Sequence, residues 1–310
     1  MNKPMMLRDY RLALLVPGIW LLSSTAICTA DDTAAEAATE GLRVSYQSYY
    51  TTEIEAVIEA AETAGKVQRY SHARAADNGF NKWLKGGENA LKPPQKAAVE
   101  KGETDALVFG MWWSSVGRWY GVTGEKSSMN LVALWGVKNN PEFRLLWQTH
   151  WATLMGHIQD KKDRSFHALD VVTPHYEKAR KLLEAEVDFV NQQHDRRVVV
   201  IIPVTAAVLD LRAMVAEGKF PGLSEQSELF IPGTWNAQRH IRMLTAYCNF
   251  AVLFGVSPEG LSPSVDHLNY RAKGGPLSSM AGITAEQHKI LQKLAWDTVT
   301  SYPYTGVQKK

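Results

Sequence analysis

The chain has 310 residues, with 34 basic and 32 acidic side chains and a 45% hydrophobic composition. That length suits one large domain with a substantial core. The near balance of charge gives no basic footprint for nucleic acid or an anionic membrane surface, and two cysteines exclude a disulfide framework. In chain order, Met1 to Ala30 reads as a secretory signal peptide. Lys3, Arg8 and Arg11 form its positive end, Leu12–Leu22 an apolar run too short to span a bilayer, and Cys28-Thr29-Ala30 a small-residue cleavage site before Asp31. An uncleaved anchor and a lipoprotein cleavage before Cys28 are the alternatives; Thr25 and Ile27 fit the latter poorly. Removing this segment takes away three basic residues and one acidic residue, which leaves 31 of each. No later run has the length to span a membrane. Asp31 to Glu40 is rich in Ala, Glu and Thr and reads as a solvated linker, with 41–310 a single domain. Cys248 lies on an apolar helical face, where a thiol is ordinarily buried and inert.

The rest of the chain alternates. Leu42–Gln47 reads as a strand, and Glu53–Ala64 as a helix with Ile54, Val57, Ile58 and Ala61 on one face. A short strand is expected at Val67–Tyr70, then a loop-rich stretch, then a helix over Pro94–Lys101. Asp105–Gly110 is an apolar strand. Ser127–Val137 is helical, Phe143–Gln148 a strand, and Pro174–His194 a long amphipathic helix. Val198–Ile202 is a continuous apolar strand ended by Pro203. Helices follow over Thr205–Glu217, Ala237–Phe254 and Thr284–Ser301; the tail from Leu277 to Val307 is expected to pack as a helix against the sheet, with Trp296 facing inward and an ordered coil over 302–307. Strands separated by helical sequence predict an α/β fold, three-layer α/β/α, with a five-stranded parallel sheet.

Such sheets bind ligands beyond the carboxyl ends of their strands, where strand order reverses. In a flavodoxin-like order that crevice lies between the first and third strands. The residues there are Gln47, Ser48, Tyr49 and Tyr50 on the first strand and Gly110, Met111, Trp112 and Trp113 on the third. Gln148, Thr149, His150 and Trp151 end the fourth. Trp112, Trp113, Trp119, Trp147 and Trp151 cluster in or near these loops. Their flat apolar faces and polar edges suit sugar rings and acyl groups, although most tryptophans in a domain this size pack in its core.

The segment Val44-Ser45-Tyr46-Gln47-Ser48-Tyr49 sits where GDSL/SGNH hydrolases carry a strand followed at once by the nucleophilic serine. Pro203-Val204-Thr205-Ala206-Ala207-Val208 resembles the stretch after the fifth strand of bacterial secreted esterase-like members. Leu211–Gly218, Pro221–Leu223, Gln226–Phe230 and Ala246–Leu261 resemble what surrounds the family's last block. The resemblance covers Gly41 to Leu261. It implies a three-layer hydrolase scaffold with no cofactor or metal. It also implies Ser48 as nucleophile, with Gly79 and Gly110 in the second and third block regions. The first block lacks the usual Gly-Asx, and Gly110 lacks the usual Asn.

In that family the last block, Asp-x-x-His, supplies the base and its orienting acid. Spacing back from Tyr247 puts it at Ile231–Asn236, where Pro232 stands for the Asp and Asn236 for the His. Proline cannot orient an imidazole, and a carboxamide cannot serve as a base near neutral pH. No Asp or His lies between Ile231 and Arg239.

Three readings follow. Ser48 remains a nucleophile, as in an O-acetylesterase, with His150 or His240 as a displaced base; His240 lies one helical turn, about 6 Å, beyond Asn236. Alternatively hydrolysis is lost, Ser48 caps the next helix, and the crevice binds carbohydrate, free or acylated. The ligand contacts would then be Gln47, Tyr49, Tyr50, Trp112 and Trp113, with Gly110, Trp151, Trp235 and Asn236 beside them. In the third reading Tyr49, Tyr50 and His150 carry acid–base elimination on an acidic sugar, with Arg118 or Arg144 neutralising its carboxylate.

Overall fold

The computed structural model describes residues 41–47, 52–67, 71–74, 93–111, 123–151, 168–231, 236–264, 269–271, 277–279 and 282–309. The expected signal and linker, residues 1–40, lie outside them.

The alternation of apolar runs does what period-two side-chain geometry requires. Strands β1 (Arg43–Gln47), β2 (Ser71–Arg74), β3 (Ala106–Met111), β4 (Arg144–Thr149) and β5 (Val199–Ile202) line up in the order β2-β1-β3-β4-β5. Every pairing in this sheet is parallel, with Val44 opposite Ala106, Ala106 opposite Arg144 and Leu145 opposite Val199. The mixed α/β class and the parallel sheet expected from the sequence are both present.

Each central strand splits its side chains between two cores. Val44, Tyr46, Val108, Leu146, Val200 and Ile202 face one core, which is closed by α1 (Thr52–Thr63), α5 (Val204–Ala216), α6 (Arg239–Phe254) and α7 (Ala285–Ser301). Leu107, Phe109, Leu145, Trp147, Val199 and Ile201 face the other, under α2 (Pro93–Glu100), α3 (Ser128–Asn139) and the second half of α4 (Leu169–Asn191). Burial on both faces is why β3 and β5 read as unbroken apolar runs. Each fully buried Val, Leu or Ile contributes roughly 1.5–3 kcal/mol, so the two cores dominate the stability of the fold.

Several boundaries differ from the expected ones, each for a local reason. The second strand begins at Ser71, not Val67. After α1 the chain turns through Gly65, whose φ of 67° is left-handed. Gly65 N–H donates to the Glu62 carbonyl and Lys66 N–H to the Ala61 carbonyl, each at 2.9 Å, a Schellman ending. Val67 then packs its side chain into the first core as part of that ending. Helix α4 starts five residues before Pro174. The proline forfeits one helical hydrogen bond, but burial of Val172 and packing of Leu169 extend the helix past it. Helix α6 starts at Arg239, because Ala237 pairs with Phe230 in an antiparallel bridge and Gln238 N–H donates to the Leu229 carbonyl. Leu277–Ser279 forms β7, antiparallel to β6 (Asn269–Arg271). Trp296 packs against the first core.

Strand β5 is an edge of the sheet. The segment 302–307 leaves α7 on one face and reaches α4 on the other, so it crosses that edge. Tyr302 OH donates to Glu184 Oε1 at 2.7 Å and Tyr304 OH to Asp188 Oδ2 at 2.8 Å. An Arg197 Nη1 donates to the Pro303 carbonyl at 3.1 Å, and Gly306 lies beside Arg197 and Val200. This strap covers a sheet edge at which the Asn191 side chain already bonds the Val199 N–H, at 2.8 Å, and the Val199 carbonyl, at 2.9 Å. No helix among the described residues is long and apolar enough to cross a membrane.

Candidate functional site

The parallel register brings the expected strand ends together. Gln47 lies opposite Phe109, Gly110 opposite Gln148 and Met111 opposite Thr149. The carboxyl ends of β1, β3 and β4 therefore form one edge, and strand order reverses between β1 and β3. Ser48, Tyr49, Tyr50, Gly79, Trp112, Trp113, Arg118, Trp119, Pro232 and Trp235 lie outside the described residues.

On the β4 side the geometry is closely tied. Thr149 Oγ1 donates to the Ile202 carbonyl at 3.1 Å and accepts from Thr205 N–H at 2.9 Å. Thr205 Oγ1 donates to the His150 carbonyl. These bonds lock the end of β4 to the start of α5, and all three residues are buried. His150 Nδ1 bonds the Trp151 carbonyl at 2.8 Å. A carbonyl can only accept, so the proton of the neutral ring sits on Nδ1 and the lone pair on Nε2. The ring lies 4.1 Å from that of Trp151, tilted by 44°.

Trp147, within β4, and Trp151, past its end, enter different cores. Trp151 is wholly buried in the first core, and Trp147 is buried in the second, 5.5 Å from the Phe109 ring. Neither ring presents an open face to a ligand in this arrangement, so both belong to the packing that a domain of this size demands of its largest side chains. Any aromatic platform must come from other positions.

The segment from Ile231 to Asn236, where the sequence resemblance places an Asp-x-x-His block, has its two ends joined by backbone bonding. Ile231 N–H donates to the Asn236 carbonyl at 2.8 Å, beside the Phe230–Ala237 bridge. His240, expected to turn back toward the crevice, is 2% exposed and meets Phe220 edge-on at 5.5 Å. Its polar neighbour on α7 is Gln287, whose amide is already engaged by the Thr284 N–H and the Pro221 carbonyl. Loss of hydration lowers the basicity of His240 to about 4, and the positive charge of Arg239 adds to the effect. A ring so placed is a poor acceptor for a serine proton near neutral pH.

Arg144 is the clearest correction to the elimination reading. It begins β4, at the opposite edge of the sheet from His150, with Nη2 directed to the Leu253 carbonyl at 3.4 Å. Five residues of strand, about 16 Å, separate it from the crevice. Burial, reinforced by Arg196, lowers its pKa, and its role is structural.

Two contacts escaped the sequence. Glu53 in the first turn of α1 and Arg242 in the first turn of α6 form an ion pair, with side chains 1% and 3% exposed. The pair ties the helix that follows the Ser48 segment to the helix that follows the 231–236 loop. Asn249 Nδ2 donates to Gln148 Oε1 and to the Thr245 carbonyl, both at 2.8 Å, fastening α6 to the end of β4. The available signal for both was a polar residue inside an otherwise apolar helical run. Among the described residues no group of three His, Cys, Asp or Glu side chains could hold a metal ion. Burial pushes the Cys248 thiol pKa upward, which keeps it protonated.

No family model matches the chain, and no curated protein matches it. Among solved structures, the fold is similar to the crystal structure of a DUF4886 family protein from Bacteroides uniformis, with a TM-score of 0.56. That likeness spans 85% of this chain and 96% of the other at 12% identity, and at such identity it speaks for the fold alone.

Proposed function

We propose that this protein is an exported SGNH-hydrolase-like scaffold that binds carbohydrate, free or acylated, in the crevice beyond β1 and β3 without hydrolysing it. The observation that carries this reading is the state of His240. It is the histidine that follows the replaced Asp-x-x-His block, and it is buried against Phe220 with its basicity lowered to about 4. A serine nucleophile needs a base near neutral pKa within hydrogen-bond reach. Asn236 and Pro232 supply none. Binding needs less: polar groups at the strand ends, such as Gln47, and aromatic faces, such as Trp112 and Trp113, to stack on sugar rings.

One observation favours a second reading, in which Ser48 is a nucleophile and His150 its base. The Trp151 carbonyl fixes the His150 proton on Nδ1, the tautomer in which Nε2 accepts a proton. In this reading a backbone carbonyl takes the orienting part that the family gives to an aspartate.

The two readings separate in one experiment. Purified protein is assayed on p-nitrophenyl acetate and acetylated polysaccharides, and its binding is measured on a glycan array, with Ser48→Ala, His150→Ala and Trp112→Ala alongside. The binding reading expects no turnover and glycan binding that weakens in Trp112→Ala. Turnover abolished in both Ser48→Ala and His150→Ala overturns it in favour of the esterase.

A further inference from the structure

Gln148 is the last residue but one of β4, and alternation puts its side chain on the face of the sheet that carries Leu146. In register it stands between Gly110 of β3 and Ile202 of β5. Gly110 has no side chain to lay on that face. It is partly exposed, whereas Val108, Phe109 and Gln148 around it are buried. The crevice edge therefore has an opening at Gly110, and Gln148 is its buried polar neighbour.

The partners of this carboxamide settle which way round it lies. Asn249 Nδ2 donates to the Thr245 carbonyl at 2.8 Å, and a carbonyl only accepts, so the donor end of Asn249 is on that side. The same Nδ2 donates to Gln148 Oε1 at 2.8 Å. Turning Gln148 over would set donor against donor. With its oxygen spent on Asn249, Gln148 is left with the two hydrogens of Nε2. Among the described residues nothing accepts from them, and Nε2, unlike the Asn249 Oδ1 behind it, is not sealed from solvent. A donor fixed in one orientation inside a buried wall, with no acceptor, is stabilised by a ligand that brings one.

The chemistry of that acceptor follows from the charges nearby. Arg242, on the same helix as Asn249, is paired with Glu53, and Arg144 lies at the far edge of the sheet. A carboxylate would bring a charge that neither of these cations meets. A hydroxyl brings a proton of its own to place. An acyl carbonyl oxygen only accepts. Resting on the reading of the crevice as a carbohydrate site, we propose that Gln148 Nε2 donates to the acyl carbonyl oxygen of an acetylated sugar, so that the crevice selects acetylated sugars over bare ones. Asn249 is the positioning residue that turns the carboxamide to do so.

A glycan array of neutral pairs tests this. Acetylated xylan and glucomannan oligosaccharides are printed beside the same oligosaccharides after mild alkali, and N-acetylated chitotriose beside cellotriose. Apparent affinities are read over a series of protein concentrations. The purified protein should bind the acetylated member of a pair about fivefold more tightly, as one net neutral hydrogen bond gives. Gln148→Met keeps the length of the side chain and removes the donor, and should bring the pair to parity. Asn249→Leu releases the carboxamide and should at least halve the preference. Damage to the fold would lower both members alike, so the ratio within a pair reports the hydrogen bond. Binding of neither member overturns the carbohydrate reading together with this role for Gln148. Equal binding of both by the unaltered protein, or a preference that survives in Gln148→Met, overturns the role of Gln148 alone. A preference unchanged in Asn249→Leu overturns the positioning role of Asn249.

Discussion

His240 is held uncharged by its surroundings, with a pKa lowered to about 4 chiefly by burial. In the unfolded chain the same imidazole titrates near 6.5. Because the folded value is the lower one, the unfolded state takes up the extra proton first as pH falls. Stability is therefore intact above about pH 6.5, declines through the interval down to about 4, and changes no further below it on this account. The loss sums to roughly 3 kcal/mol. His288, also lowered by burial, acts in the same direction. Urea midpoints at pH 7 and pH 4 should show this fall, and His240→Leu should flatten it by about one proton's worth of slope. Identical pH profiles for the two proteins would contradict it. The chain itself shows that His240 stands at the start of an apolar helix, but not which way its ring turns, since one helical turn after Asn236 fits either the crevice or the packing against Phe220. His150 was legible as a strand-end residue. The carbonyl that fixes its tautomer was not, because backbone acceptors leave no mark in the sequence.

Helices α1 and α6 are joined at their first turns by Glu53 and Arg242. Removing one member leaves the other charged and buried, which costs about 3–5 kcal/mol, whereas replacing both with apolar groups of similar volume is often neutral. Glu53→Leu and Arg242→Met should each lower the denaturant midpoint strongly, and the double variant should recover most of the loss. Additive losses in the double-mutant cycle would show that the pair is not acting as a unit. At this scale the sequence was most informative where periodicity was long. The centres of α4, α6 and α7 and the apolar strands β3 and β5 lie where expected. It was least informative at boundaries set by competing contacts: the turn through Gly65 that delays β2, the burial of Val172 that carries α4 across Pro174, and the bridge at Ala237 that delays α6. In each case a tertiary contact decided against a local signal.

The molecule reads as alternation throughout, and that is why its parallel sheet and its crevice edge were legible before any side chain was placed. A segment with no periodicity carries no such signal, so the strap over β5 was legible only as coil. A chain cut after Ser301 loses the Tyr302 and Tyr304 bonds to Glu184 and Asp188 and bares the free side of β5. Its stability should fall by at least about 2 kcal/mol, and light scattering should reveal association that grows with concentration, as an open edge recruits other strands. A truncated chain that stays monomeric with an unchanged midpoint would show that the strap contributes neither stability nor protection.

Arg197, at the threshold of β5, finds the Pro303 carbonyl 106 residues further along the chain. At a synthesis rate of about 5–20 residues per second, that separation leaves one side of the sheet unsealed for roughly 5–20 s after β5 has been made. A nascent chain in that condition has the outer side of β5 open to whatever strand meets it first.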